Sequence, residues 1–279
     1  DSIAAITLYE KVVELGVKSH QETAMLFLAR ESYSRNDFVN SNKHYNTLLE
    51  YASSNSIKRE VVIRLMTGNE LIDNKVAFKF AKQVVEFDKT DNWLLSKAYV
   101  IIARNEFENG NYAKSKVTFK QVVGLSDYDE GAEAKYYLAY LTYLDENLTL
   151  AEQMIFELAE KYSSDYFIAK AFILLADIYV AQENNFQAKA TLESIIENHD
   201  GDDLVNLARE KWEQIVEKEK VVTPEVEEEF HIDILEDEIV YEEEVLDEID
   251  EDYIVEIPDS LKVESDSLEI KILEDEEIE

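Results

Sequence analysis

A small residue followed four positions later by a bulky one recurs along the first two hundred residues of this 279-residue chain. The pairs are Ala5/Tyr9, Ser41/Tyr45, Ala77/Ala81, Ser115/Phe119, Ala151/Ile155 and Ala188/Leu192. Successive small members lie 36, 36, 38, 36 and 37 positions apart. A fixed period of this length marks stacked supersecondary units, none of which can bury its apolar face alone. The third pair is degenerate, with Ala81 in the bulky slot. A second series, Ala29, Ala103, Ala139 and Ala176, falls between the first, and each member precedes a turn-prone stretch: SRND, ENGN, DEN or QENN.

Each unit predicts two amphipathic helices. In AYVIIARNEFENGNYAKSKVTFKQVV, Tyr99, Ile102, Ala103 and Phe107 form one apolar stripe at helical spacing. Gly110 ends that helix, and Tyr112, Ser115, Phe119 and Val122 form the stripe of the next. Small residues let the two helices approach closely while the bulky ones fill the gap beside them. The unit around residues 57–85 fits poorly, with Gly68 inside a helix. SIAAITLYEKVVEL, at the N-terminus, has the pattern of a second helix without its first, which predicts further repeats before Asp1. At the other end, DDLVNLAREKWEQIVEKEK places Leu204, Leu207, Ala208, Trp212 and Ile215 on one side, with Asp202 or Asp203 as cap. Pro224 cannot continue this closing helix.

The repeats resemble the tetratricopeptide repeat family. FILLADIYVAQENNFQAKATLESII carries the likeness best: Phe172, Leu175, Ala176, Tyr179, Ala188, Leu192 and Ile195 fall on the family's large, small and aromatic slots. The family's proline after the second helix is absent throughout. The resemblance implies an all-α, right-handed superhelical solenoid of antiparallel helix pairs over residues 1–200, roughly five and a half units. A capping helix follows over 201–220, then a tail over 221–279. By the family's register the first helix of each pair lines the concave face. That puts Leu26, Arg30 and Tyr33; Val100, Arg104 and Phe107; Tyr136, Tyr140 and Tyr143; and Ile173, Asp177 and Val180 at the groove. Of these, Arg30, Tyr33, Arg104, Phe107, Tyr136, Tyr140 and Tyr143 are the expected protein-binding residues, because tyrosine and arginine give contact area and directed hydrogen bonds. The alternative is that the tyrosines pack between helices. Apolar Leu26, Val100, Tyr136 and Ile173 in the key slots argue against a carboxylate clamp of the chaperone-binding kind. Periods this long are also similar to repeats of bacterial envelope proteins, including lipoproteins of outer-membrane assembly machinery. The expected location is therefore the periplasm or the outer membrane.

Little points to catalysis. There is no cysteine, hence no disulfide framework, thiolate metal site or cysteine nucleophile. The four histidines, His20, His44, His199 and His231, form no HExxH arrangement, and the first three are expected near helix ends or turns. Ser126 in GLSDY lacks the second glycine of a nucleophile elbow. Asp247, Asp250, Asp252 and Glu256 lack the spacing and central glycine of a calcium loop. Six scattered glycines make no phosphate loop. No catalytic residue, cofactor or metal is expected.

Charge sets the tail apart. The chain carries a formal −35, of which residues 221–279, with 26 acidic residues against two lysines, supply −24. Such a surface repels nucleic acid and anionic lipid and attracts basic partners. No apolar run approaches the length of a membrane span. The tail alternates apolar and acidic residues: Phe230, Ile232 and Ile234; then Tyr253, Val255 and Ile257; then Leu268, Ile270 and Ile272. Alternation suits extended, strand-like pieces. These nine residues are the expected anchors of a linear binding segment, docking on a partner's basic or edge-strand surface. The carboxylates would steer that partner and suppress self-aggregation. The chain is accordingly expected to be a non-enzymatic scaffold or adaptor in a larger complex. Two alternatives remain: a peptide-binding, chaperone-like receptor regulated by its own tail, or an acidic nucleic-acid mimic that sequesters a basic protein.

Overall fold

The computed structural model describes residues 2–16 and 18–222. The binding segment expected in the tail, from Phe230 to Ile272, and Pro224 lie outside the described residues. The chain divides into two units, Asp1–Val226 and Glu227–Glu279, and the first carries the described helices. They are α1 (Ser2–Glu14), α2 (Lys18–Ser34), α3 (Phe38–Tyr51), α4 (Asn55–Asn69), α5 (Asn74–Val85), α6 (Asn92–Glu108), α7 (Tyr112–Val123), α8 (Asp129–Leu144), α9 (Leu148–Lys161), α10 (Asp165–Ala181), α11 (Asn185–Asn198) and α12 (Asp202–Val222).

Each helix packs on its sequence neighbours, forming an all-α solenoid of antiparallel pairs: α2/α3, α4/α5, α6/α7, α8/α9 and α10/α11. The even-numbered helices α6, α8, α10 and α12 also touch one another in series, whereas the odd-numbered ones make at most marginal mutual contact. The even-numbered helices therefore form the inner side of the array. Three buried clusters run along it, the first spanning α2 to α6, the second around Phe119, the third spanning α8 to α12.

The turn inside each pair is built by short-range polar chemistry. Asp37, Asp73, Asn147 and Asn184 cap the second helix by accepting from backbone N–H groups of its first turn. Asn111 holds the same position without that bond. In four of the five turns the preceding residue is left-handed: Asn36 at φ 59°, Gly110 at 73°, Glu146 at 61° and Glu183 at 61°. Only Gly110 adopts this conformation without steric cost. The pair α4/α5 alone turns without it.

The slots of the repeat are filled as the pattern implies. Tyr45, Phe119, Ile155 and Leu192 are fully buried beside Ser41, Ser115, Ala151 and Ala188. The two serines add a bond across the pair: Ser41 Oγ donates to the Ala29 carbonyl and Ser115 Oγ to the Ala103 carbonyl, each at 2.9 Å. The degenerate pair is compensated from the other helix. The cap N–H bonds the carbonyl of Ser32, Asn69, Glu106, Thr142 or Tyr179, and three residues before each of these lie Ala29, Met66, Ala103, Ala139 and Ala176. Met66 therefore stands where every other unit has alanine, and it is fully buried in one cluster with Ala77 and Ala81. Gly68 is explained too. A Cβ there would lie 2.6 Å from Asn42 Oδ1, and Asn42 donates to the Gly68 carbonyl at 3.2 Å. The glycine admits an asparagine from α3 that ties the two units together.

The ends differ from expectation in detail. α12 begins at Asp202, so Asp202 and Asp203 occupy its first turn and complement the helix dipole rather than cap it. Leu204, Ala208 and Ile215 are buried, while Leu207 is exposed. His44 sits inside α3 rather than near a helix end.

Candidate protein-binding face

The inner side is lined by α2, α4, α6, α8, α10 and α12, and it has two chemically distinct stretches. The first is a cleft of about 610 Å³ bordered by α2, α4 and the start of α6. Arg30 forks onto Glu60, with Nε donating to Oε1 at 2.6 Å and Nη2 to Oε2 at 2.5 Å. The fork holds the Glu60 carboxyl below its ordinary value. Tyr33 pairs its hydroxyl with Thr67 Oγ1 at 2.8 Å. The Arg64 guanidinium lies over the Tyr33 ring, 4.4 Å from its centroid. Arg59 lies 4.7 Å from the Phe87 centroid and donates to the Asp88 carbonyl and to Thr90 Oγ1, both at 3.1 Å. Trp93 stands exposed at the rim.

The second stretch is aromatic. Tyr136, Tyr140 and Tyr143 rise along α8 with centroids 6.3 Å apart in each step, all half-buried. Phe107 of α6 meets Tyr140 at 5.8 Å and Tyr137 at 5.0 Å, and Tyr137 in turn stacks on Phe119 at 4.8 Å. Lys170 of α10 places its ammonium 4.9 Å from Tyr136 and 5.8 Å from both Tyr137 and Tyr166. Burial raises the Tyr136 hydroxyl and pushes that of Tyr137 up to about 12, and burial lowers the Lys170 ammonium. These phenols stay neutral near pH 7 and offer hydrogen bonds, not charge.

Between the two stretches, Arg104 is held on both sides. Its Nη2 donates to Glu70 Oε1 at 2.7 Å, and its Nε lies 2.5 Å from Glu133 Oε1. Burial opposes the Arg104 charge, but Glu133 and Glu70 outweigh it and keep the group above its ordinary value. Burial pushes the Glu133 carboxyl up, with Arg104 opposing. Arg104 thus stitches α4, α6 and α8 together. Similar stitches join Lys97 to Glu130 at 3.0 Å and Asp177 to Lys211 at 2.7 Å.

The structure brings Arg30 and Tyr33 together in the cleft, and Phe107, Tyr136, Tyr140 and Tyr143 along the aromatic stretch. Tyr136 and Phe107 pack against neighbouring helices and also keep part of their surface open. Val100 and Ile173 do not line the groove; they are buried, at 1% and 3% exposure. Sequence reasoning missed Arg59, Glu60, Arg64 and Trp93. Carried from Met66, the family's register gives Ile63, Thr67 and Glu70: the first two line the cleft and Glu70 holds Arg104, while Arg59, Glu60 and Arg64 fall outside those positions. The stitches had a signal: Tyr33/Thr67, Glu70/Arg104 and Asp177/Lys211 are complementary residues 34 apart.

Among the described residues, no group of histidines and carboxylates is arranged to hold a metal, and no helix is long and apolar enough to cross a membrane. Ser126 lies in the α7–α8 loop, where its hydroxyl accepts from the Tyr128 N–H at 3.2 Å.

No family model and no curated protein matches the chain. Solved structures do. MamA is 15% identical, matched over 66% of this chain and 98% of its own, with a TM-score of 0.47. YrrB, described as a TPR protein with an unusual peptide-binding site, is 16% identical over 72% of this chain and 97% of its own, with a TM-score of 0.47. TTC0263, a thermophilic TPR protein from Thermus thermophilus, is 17% identical over 70% of this chain and 98% of its own, with a TM-score of 0.43. In fold the chain is similar to tetratricopeptide-repeat proteins.

Proposed function

We propose that the chain is a non-enzymatic protein-interaction scaffold whose inner face receives a segment of a partner protein. The observation that carries this reading is the ladder Tyr136–Tyr140–Tyr143 on α8. It is half-exposed and braced from α6 by Phe107 and from α10 by Phe167, 6.4 Å from Tyr136. Aromatic side chains held by packing lose little entropy on binding and present both apolar area and neutral hydroxyl groups. The repeat stack supplies a rigid surface for them, with carboxylate–cation stitches spanning successive units.

The finer reading adds two elements from the sequence. The acidic residues 221–279 would act as a second recognition segment through Phe230, Ile232, Ile234, Tyr253, Val255, Ile257, Leu268, Ile270 and Ile272. The assembly served would be a bacterial envelope complex.

Site-specific photocrosslinking tests the scaffold reading. A photoreactive phenylalanine analogue replaces Tyr140 or, as a control away from the ladder, Phe186, which is 80% exposed at the start of α11. Crosslinks from position 140 and not from 186, in the native cell, are the expected outcome. Equal yields at both would overturn the reading. Deleting residues 221–279 separates the tail's share: a partner lost with the tail makes it the recognition element, and an unchanged partner assigns recognition to the inner face.

A further inference from the structure

The cleft bordered by α2, α4 and α6 reverses the charge balance of the chain. Acidic residues outnumber basic ones 62 to 27 overall. In the cleft, three arginines, Arg30, Arg59 and Arg64, meet one carboxylate, Glu60. Glu60 is committed to the Arg30 fork. Arg59 bonds only to neutral oxygens, the Asp88 carbonyl and the Thr90 hydroxyl. Arg64 makes no ion pair within 4.0 Å among the described residues and rests on the Tyr33 ring. Two guanidinium groups thus stand without a carboxylate of their own on a protein that has carboxylates in excess.

Their posture suits a ligand. An arginine laid on an aromatic face is held in place by that face, while the in-plane N–H groups stay free for a carboxylate fork. Trp93, at 56% exposure, adds an apolar surface on the same rim. A nucleic acid is the wrong anion, because the chain's overall charge repels an extended polyphosphate. A lone oxyanion leaves a cleft of about 610 Å³ and the Trp93 face unused.

We propose that this cleft binds an acidic peptide segment, with carboxylates on Arg59 and Arg64 and a neighbouring aromatic or aliphatic side chain on Trp93. The assignment rests on the inner-face reading and names the chemistry of its partner in the α2–α6 stretch.

The test uses the full chain and three probes: the blocked peptide Glu-Glu-Phe-Glu-Glu, its counterpart Lys-Lys-Phe-Lys-Lys, and inorganic phosphate, each titrated by calorimetry. The acidic peptide is expected to bind, with affinity falling as salt rises from about 50 to about 300 mM. Arg59→Gln and Arg64→Gln should each weaken it about tenfold. Arg64→Lys, which keeps the charge and loses the fork, should fall between. Trp93→Ala should weaken it about threefold to tenfold. Lys116→Gln, on α7, should change nothing. Equal binding of the basic peptide, no binding of the acidic one at about 1 mM, or indifference to both arginine substitutions in variants with unchanged melting would overturn the proposal. Phosphate that displaces the acidic peptide at equal concentration would also overturn it, leaving a simple anion site. Failure here with crosslinks retained at position 140 removes the acidic-segment assignment alone; loss of both removes the inner-face reading.

Discussion

The α4/α5 and α10/α11 pairs occupy the same place in the repeat and fill it differently. In α10/α11, Ala176 of the first helix shares a cluster with Ala188 and bulky Leu192 of the second, and Glu183 turns the chain in a left-handed conformation before the Asn184 cap. In α4/α5 the bulk sits on the first helix, at Met66, with Ala77 and Ala81 opposite and no left-handed residue before Asp73. Both contacts are fully closed. What the repeat demands at this contact is combined volume at native packing density, and the helix that supplies it is interchangeable.

The comparison breaks most clearly through Met66→Ala. That change should cost about 2–5 kcal/mol in urea unfolding, as a core methionine truncation does. The double variant Met66→Ala/Ala81→Leu, which moves the bulk back to the second helix, should recover more than half. A double variant no more stable than Met66→Ala would show that the two slots do not exchange volume.

Two helical glycines sharpen the same contrast. A Cβ on Gly131 in α8 would lie 2.0 Å from the Ser126 carbonyl and 2.7 Å from the Tyr162 ring. Backbone cannot yield there, so Gly131→Ala should cost about 1–3 kcal/mol. At Gly68 the obstacle is the Asn42 side chain, so Gly68→Ala should cost less, about 1 kcal/mol. In an Asn42→Ala background, adding Gly68→Ala should become neutral or stabilising by up to about 1 kcal/mol, because alanine favours helix. Unfolding midpoints of the four proteins decide it.

The smallest effects concern pH. Glu60, paired with exposed Arg30, has its carboxyl below the ordinary 4.5, first through the arginine fork. The folded form binds that proton more weakly, so its stabilisation is present above about pH 4.5 and is lost as pH falls through the folded value. Buried Glu133 is raised above 4.5, first by desolvation. Its contribution has the opposite sign: stability falls as pH rises from below 4.5 through the folded value. Glu60→Gln should therefore flatten the acid-side loss of stability, and Glu133→Gln should steepen the net rise of stability with pH. Urea midpoints from about pH 3 to 7 measure both slopes, and equal slopes in the two variants would refute the assignment.

Much of this was legible in the residues. The 36-residue spacing of Ala or Ser with a bulky partner located the helix pairs, since a contact that must close in every unit leaves a periodic trace. The register of the resembled family, not the spacing alone, supplied the expectation that Arg30, Tyr33, Phe107 and the three tyrosines of α8 face the groove. It did not reach Arg59, Arg64 and Trp93, which fall outside the positions it gives.

By itself, then, the sequence determined that the chain stacks helix pairs, where their turns fall and which units deviate, because period and caps are local properties of the chain. Tertiary structure decided the rest. It showed that Met66 takes up the volume missing at Ala81, that Gly68 makes room for Asn42, and that Arg104 is held by two carboxylates while Arg64 is held by none. Each of those outcomes depends on which side chains from different repeats meet at a given point in space, and linear order does not encode that meeting.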